Sequence, residues 1–315
     1  MRILVTGAAG AIGSHLAEGF VRRGNYVRGS DSLTPYYSRL IKEINVAEIK
    51  NSGVEFVRAD LCTDDLTSLL DGIEVVYHFA AQPGISATTP FSEYVNNNIV
   101  ATFRLLEAVR QAGDLRLFVH ISTSSIYGRR AVGDEMVEPA PTSYYGVTKL
   151  AAEQLALSYY REQWLPVVVL RLFSVYGERE RPDKLFHKLI SSILNDKPFP
   201  LHEGSEHHTR SYTAVQDIVD GCFRVIEYLD KCMGQIFNLG TDQVITTGEA
   251  IRLLETIIGK EAIIKAVPRR PGDQVETAAN ITKARAILGY DPVMKLADGL
   301  AREVRWYKEK IYGKI

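Results

Sequence analysis

Cysteine is scarce in this chain. Cys62, Cys222 and Cys232 are the only three among 315 residues, far apart and odd in number. That excludes a disulfide framework and the paired spacing of a zinc site, and it suits reduced thiols in a cytoplasmic protein. The seven histidines are scattered except for adjacent His207 and His208. Neighbours in sequence rarely share one metal, so none is expected. An excess of one charge is missing too. The 37 basic side chains meet 38 acidic ones and form no basic tract, which argues against a nucleic-acid partner. No apolar run is long enough to span a bilayer. The N-terminus, MRILVTG, enters an apolar strand at once, without the regions of a secretory leader. A membrane partner is therefore not expected. Internal repeats and low-complexity tracts are absent. The length suffices for one large domain or two unequal ones.

What is present begins with a short apolar run, 3–6, that stops at a glycine-rich turn, the pattern of a buried parallel strand. Gly7-Ala-Ala-Gly10-Ala11-Ile12-Gly13 follows and opens a segment with helical spacing. Gly7 lets the chain turn, Gly10 lets a pyrophosphate approach the backbone, and Gly13 lets helix and strand pack closely. Ala11 and Ile12 lie in the same turn, where free N–H groups and the positive end of the helix dipole suit phosphate. Eighteen residues after Gly13, Asp31 ends a second strand, 26–30. It can accept hydrogen bonds from an adenosine ribose, and an acid there favours NAD over its 2′-phosphorylated form.

A third strand, 54–58, leads to Asp60-Leu61, which either reach an adenine or cap the next helix. A fourth, 74–79, runs into Ala80-Ala81, which leave room for a flat cofactor. Asn98 closes the triplet that opens a helix at 99–112, and it either ties that helix to a neighbouring strand or loop or caps it. The run 117–128 ends in a hydroxyl cluster, Thr123, Ser124 and Ser125. Tyr145 and Lys149, four apart at the start of a helix over 145–162, share one face. An ammonium beside a phenol favours the phenolate, a base usable near neutral pH. Hydroxyl, tyrosine and lysine together are equipped to take a proton from an alcohol while hydride leaves its carbon. On its own Tyr-x3-Lys is common on solvated helices. Its place after a glycine-rich loop, an acid and a hydroxyl strand sets this one apart. A nearly all-apolar strand, 167–172, completes an alternation of strands and helices that predicts an α/β, doubly wound parallel sheet with ligands at the strand carboxyl ends. Beyond Phe173 the chain turns polar, with Arg179 and Arg181 in one loop and Arg269 and Arg270 in another. Such arginines either grip diphosphate oxygens or simply face solvent.

As a set, Gly7-x2-Gly10-x2-Gly13, Asp31, His78-x-Ala80-Ala81, Thr123-x3-Tyr127-Gly128 and Tyr145-x3-Lys149 resemble the extended short-chain dehydrogenases of the NAD-dependent epimerase/dehydratase family, which act on nucleotide sugars. The resemblance runs from residue 1 to about residue 300. It implies tightly held NAD in a Rossmann domain, here 1–173 with 212–238 returning to it. It also implies a smaller C-terminal α/β domain, 174–211 and 239–315, that binds the nucleotide sugar. Homodimers paired through two helices, here 99–112 and 145–162, are implied as well. Thr123 matches the catalytic hydroxyl, Tyr145 the base and Lys149 the lysine on the nicotinamide ribose. Arg210, Tyr212, Arg270 and Asp273 fall where relatives hold the nucleotide. Ala11 stands where relatives often carry an aromatic, a departure that leaves backbone contacts to phosphate intact.

Ser124 and Ser125 narrow the reaction. The resemblance places an acid pair there in 4,6-dehydratases and a glutamate at 125 in decarboxylases that make UDP-xylose. Two serines leave oxidation and reduction at one carbon, which is C4 epimerisation of a UDP-sugar. The loop from Arg179 to Ile190 looks most like UDP-glucuronate 4-epimerases. Arg181 is expected to grip the substrate carboxylate, with Ser125 and Ser174 as partners and Arg179 as rival. UDP-glucose 4-epimerisation is the alternative, and a non-catalytic NAD sensor is the reading from a different class.

Overall fold

The computed structural model describes residues 1–314 except 87, 163, 270 and 271. Seven parallel strands form its central sheet: β1 (Arg2–Thr6), β2 (Tyr26–Asp31), β3 (Glu55–Arg58), β4 (Val75–His78), β5 (Leu117–Thr123), β6 (Val167–Leu172) and β7 (Ile236–Leu239). Their spatial order is β7-β6-β5-β4-β1-β2-β3. β1 pairs with β2 on one side and β4 on the other, Ile3 lying opposite both Val27 and Val75. Winding therefore reverses at β1, and the switch point opens a crevice at the carboxyl ends of β1 and β4.

Alternation along the strands feeds two core layers. Ile3, Val5, Tyr77, Val119 and Leu170 enter one, while Leu4, Val76, Phe118 and Val169 enter the other. Both faces are buried, which is why these strands read as unbroken apolar runs. Each buried side chain of this size contributes about 1.5–3 kcal/mol.

The longer helices are α1 (Ala11–Arg22), α2 (Arg39–Asn51), α3 (Ala101–Ala112), α4 (Tyr144–Arg161), α5 (Leu185–Leu194), α6 (Val215–Glu227), α7 (Thr247–Ile258) and α8 (Leu296–Lys310). α1 and α6 cover the first face, where Phe20 meets Phe223 edge-on at 4.9 Å. α3 and α4 cover the second with Leu105, Leu106, Ala156 and Leu157. Phe186, Leu189, Ile251, Leu254, Leu300 and Trp306, from α5, α7 and α8, build a third core. Around it lie small sheets, one joining Thr209–Arg210 to Ile245–Thr246 and Glu276–Thr277, another pairing Phe199–His202 with Ile264–Val267. The loop between β6 and α5, with Val175, Tyr176, Arg181 and Lys184, lines one side of the crevice.

Candidate active site

The first crevice starts at the turn after β1. Gly7 has a φ of +70°, and a Cβ there would stand 2.8 Å from the backbone nitrogen of Ala80. A Cβ on Gly13 would stand 2.4 Å from the Gly7 carbonyl oxygen, so only glycine lets α1 begin this close to β1. Gly10 is the N-cap and offers no side chain to the first-turn N–H groups. Those groups face a cleft lined by Gly7, Gly10, Ala11, Ile12, Gly13, Asp31, Asp60, Leu61, Ala80 and Ala81. An uncapped helix start above a glycine cradle fits a pyrophosphate. The Asp31 carboxylate accepts from Leu33 N at 2.8 Å and Ala9 N at 3.3 Å. Lys42, on α2, lies 3.8 Å from it and donates to Thr34 Oγ1 at 3.1 Å.

Asp60 is a turn residue. Its Oδ1 accepts from Cys62 N at 2.8 Å, and Asp65 instead serves the start of the helix at Thr67. Asn98 is not a cap either. The helix begins earlier, at Phe91, and widens to a π-turn over Val95–Val100 before α3. Buried there, the Asn98 amide accepts from Gln82 N at 2.7 Å and donates to Thr148 Oγ1 at 2.9 Å, tying the loop after β4 to α4. Below it the Thr102 hydroxyl spends its proton on Asn98 O. His78 Nε2 therefore donates to Thr102, and His78 Nδ1 accepts from Thr6. Burial lowers the His78 pKa to about 3, with Lys149 adding to the effect, so the imidazole stays neutral.

A second cleft adjoins the first and is lined by Ser125, Tyr145, Ser174, Arg181, Asp183, Arg210, Tyr212 and Asp273. Ser143 caps α4 through Gly146 N at 3.1 Å. A Cβ on Gly146 would lie 2.6 Å from the Ser125 carbonyl oxygen. That close approach brings the start of α4, with Tyr145, against the hydroxyl turn. Thr123 accepts from Ser125 N at 3.2 Å and is also a hydrogen-bond neighbour of the Tyr145 phenol. The phenol pKa is raised by burial, opposed first by the charge of Arg181 and then by Thr123. This corrects the expectation that Lys149 is the cation acting on Tyr145. Lys149 is itself buried, and burial lowers its pKa to about 8 against the pull of Glu153.

Arg181 lines both clefts. Its Nε and Nη2 meet the two oxygens of Asp183 at 2.9 and 3.0 Å. Arg179, the rival, turns the other way to Glu18 and Glu48, at 2.7 and 2.6 Å, and pins this loop to α1 and α2. Ser174 and Arg179 both hold positive φ, +32° and +67°, strain of the kind that gathers at binding loops. At the far end Arg210 lies 3.8 Å from Asp273, and Tyr212 packs on Phe186 with centroids 4.8 Å apart. Ser124 lines neither cleft. It is buried, with its carbonyl accepting from Gln274 at 3.2 Å. Arg270 lies outside the described residues.

Comparison with known proteins fits this geometry. The model of the NAD dependent epimerase/dehydratase family matches residues 3–240. The chain belongs to that family. It is 37% identical over 320 residues to YtcB of Bacillus subtilis (strain 168), named an uncharacterized UDP-glucose epimerase, covering 99% of this chain and all of that one. It is 34% identical over 330 residues to UDP-glucuronate 4-epimerase 2 of Arabidopsis thaliana, covering 97% and 75% of the two chains. The crystal structure of UDP-glucuronic acid 4-epimerase from Bacillus cereus, in complex with UDP-glucuronic acid and NAD, superposes with a TM-score of 0.93 at 40% identity, covering 98% and 99%. The family's Rossmann-type doubly wound sheet is thus present here.

Within this epimerase fold, sequence reasoning missed Lys42, Asp183 and Lys184. Asp183 follows Arg181 by two residues, a spacing that hinted at a pair. Lys184 lines both clefts and pairs with Glu180 at 3.0 Å. Lys42 sits eleven residues past Asp31 on α2, where no local pattern marks it.

Proposed function

We propose that this protein is an NAD-dependent epimerase that inverts C4 of a UDP-sugar through a 4-keto intermediate, interconverting UDP-glucuronate and UDP-galacturonate. The observation that carries the reading is Arg181: a guanidinium fixed on one edge by Asp183, lining both clefts, with its charge felt at Tyr145. A sugar carboxylate is the anion such a group would read at the reacting end of the substrate. The two serines at 124 and 125 leave no carboxyl group to drive elimination.

NAD, when bound, would supply the acceptor and donor of the C4 hydride. Gly7, Gly10 and Gly13 would hold its pyrophosphate, Asp31 and Lys42 its adenosine ribose, and Lys149 its nicotinamide ribose. Tyr145 takes the proton from the C4 hydroxyl while Thr123 hydrogen-bonds the same oxygen. The phenol then returns the proton when the sugar has turned over. A 4-keto-glucuronate is a β-keto acid, primed to lose carbon dioxide. Arg181, with Ser125 and Ser174, would hold the carboxylate where the breaking C–C bond lies out of line with the ketone. Arg210, Tyr212, Arg270 and Asp273 are assigned to the nucleotide.

The chain would divide at 1–173 with 212–238 for NAD, and 174–211 with 239–315 for the sugar nucleotide. A homodimer is supported by apolar side chains left exposed at the paired helices, Val100, Phe103, Tyr144 and Val147. Among the described residues no helix is long and apolar enough to cross a membrane. The three free cysteines support a cytoplasmic site of action. The similarity to YtcB favours UDP-glucose as the second reading. The arrangement of Thr123, Tyr145 and Lys149 speaks against a non-catalytic NAD sensor, which has no use for a positioned base. Incubation with a panel of UDP-sugars, without added NAD, followed by separation of the epimers, tests all three. Turnover of UDP-glucose in preference to UDP-glucuronate overturns the substrate, and no turnover of any sugar with NAD bound revives the sensor.

A further inference from the structure

The inner face of α4 carries Tyr145, Lys149 and Glu153 at successive turns. Glu153 is fully buried and so is Arg171 on β6. Arg171 Nη2 and Nε grip the two Glu153 oxygens at 2.6 and 3.1 Å, and Ser122 on β5 donates to Oε2 at 2.7 Å. Arg171 is anchored in turn, donating to the Tyr127 hydroxyl at 2.7 Å and to the Glu135 carbonyl at 3.2 Å. Tyr127 passes a hydrogen bond to Asn238 at 2.9 Å. The carboxylate is thus clamped from two strands and cannot swing toward the site.

Lys149 lies one turn before this clamp. Tyr145 and Glu153 flank it on its own helix, and His78 on β4 and His120 on β5 both feel its charge. The two imidazoles lie side by side, centroids 5.8 Å apart, and burial keeps each neutral. Neither offers Lys149 a counter-charge. Glu153 is the one anion acting on it among the described residues. We propose that Glu153, clamped by Arg171 and Ser122, is a positioning residue: the fixed buried counter-charge, one helical turn away on the same face of α4, that keeps Lys149 in its ammonium form. The effect is one of field, since both carboxylate oxygens are already taken. The proposal rests on the reading of Tyr145 and Lys149 as base and ribose-binding lysine, yet its first readout needs no sugar.

That readout is NMR titration of Lys149 in the protein as purified, labelled at lysine and assigned with Lys149→Gln. Opposite charges within a few ångströms shift a pKa by about 1–3 units. In Glu153→Gln the Lys149 titration moves down by at least about one unit, because Arg171 is left unopposed. In Arg171→Met it moves up. Each single change strands a buried charge and endangers folding. The double variant Glu153→Gln/Arg171→Met removes both charges and still moves Lys149 down. Glu153→Asp, which keeps the charge but shortens its reach, gives a smaller downward shift and covers failure of the double variant to fold. The alkaline limb of kcat against pH moves with the titration in each variant. A folded double variant, or Glu153→Asp if that alone folds, with Lys149 titrating as in wild type overturns the proposal. Absence of epimerase activity with the Lys149 shift present strikes the functional reading instead.

Discussion

Arg181→Ala separates carboxylate recognition from every other role of this site. The Arg181 side chain is four-fifths buried, and Asp183 holds its Nε–Nη2 edge at 2.9 and 3.0 Å. With Nε and Nη2 fixed by Asp183, the guanidinium enters binding already oriented. A hydrogen bond to a charged group contributes roughly 1.5–3 kcal/mol. Arg181→Ala is therefore expected to lower kcat/KM for UDP-glucuronate by about 10–100-fold through this contact. A second effect acts on both substrates alike. Arg181 is the leading influence that lowers the Tyr145 pKa, and its loss moves the acid limb of kcat against pH upward for any sugar. The ratio of kcat/KM for UDP-glucuronate to that for UDP-glucose cancels this shared loss and isolates the carboxylate. The assay is initial rates on both substrates across pH, with epimers and any UDP-pentose resolved by chromatography. Arg181→Lys keeps the charge but not the fork, and should fall between wild type and Ala. An unchanged ratio in Arg181→Ala would refute the assignment, whatever the size of the common loss.

Tyr145→Phe should keep fold and bound NAD but lose the general base, a contribution commonly of about 10²–10⁴-fold in kcat. Near-normal turnover would sink that role. Denaturing the purified protein should release NAD, because a 2′-phosphate beside Asp31 meets like-charge repulsion; NADP as the main species would contradict the reading. Gly13→Ala places a Cβ 2.4 Å from the Gly7 carbonyl oxygen, a backbone atom that cannot move aside. The variant should lose bound nucleotide and melt at a lower temperature, and wild-type nucleotide content would refute it. Burial holds His78 and His120 neutral, and neither ring nitrogen of His120 has a hydrogen-bond partner among the described residues. Below pH 6.5 the unfolded chain binds protons that the folded chain refuses, so stability falls as pH drops through 6.5 toward 3. His120→Phe should flatten that fall in Tm between pH 6.5 and 4 by calorimetry, and an equal slope in both proteins would exclude His120 as a contributor.

The sheet, the glycine turn and the Tyr145–Lys149 face were legible in the chain because each depends on residues within one or two turns of one another. Short apolar runs and helical spacing are local patterns, and the Gly7–Gly13 cradle is a local backbone requirement. Arg179 and Arg181 show where that legibility ends. They stand two residues apart with the same chemistry, yet one is spent on Glu18 and Glu48 and the other lines both clefts. Only the packing of α1 and α2 against their loop separates them. Ser124 and Ser125 are equivalent in sequence, and the turn after β5 sends one into the interior and the other into the cleft. Asn98 reads equally as a tie to a neighbouring element or as a helix cap until α4 brings Thr148 to it across fifty residues. Lys42 reaches the Asp31 carboxylate only because α2 folds back over β2. The electrostatics of the base were decided at the same level. Spacing alone named Lys149 as the cation acting on Tyr145, whereas burial raises the phenol and the charge that counters it comes from Arg181, thirty-six residues away. Ionisation depends on desolvation and on charges delivered by other elements, and neither quantity exists until the tertiary structure has formed.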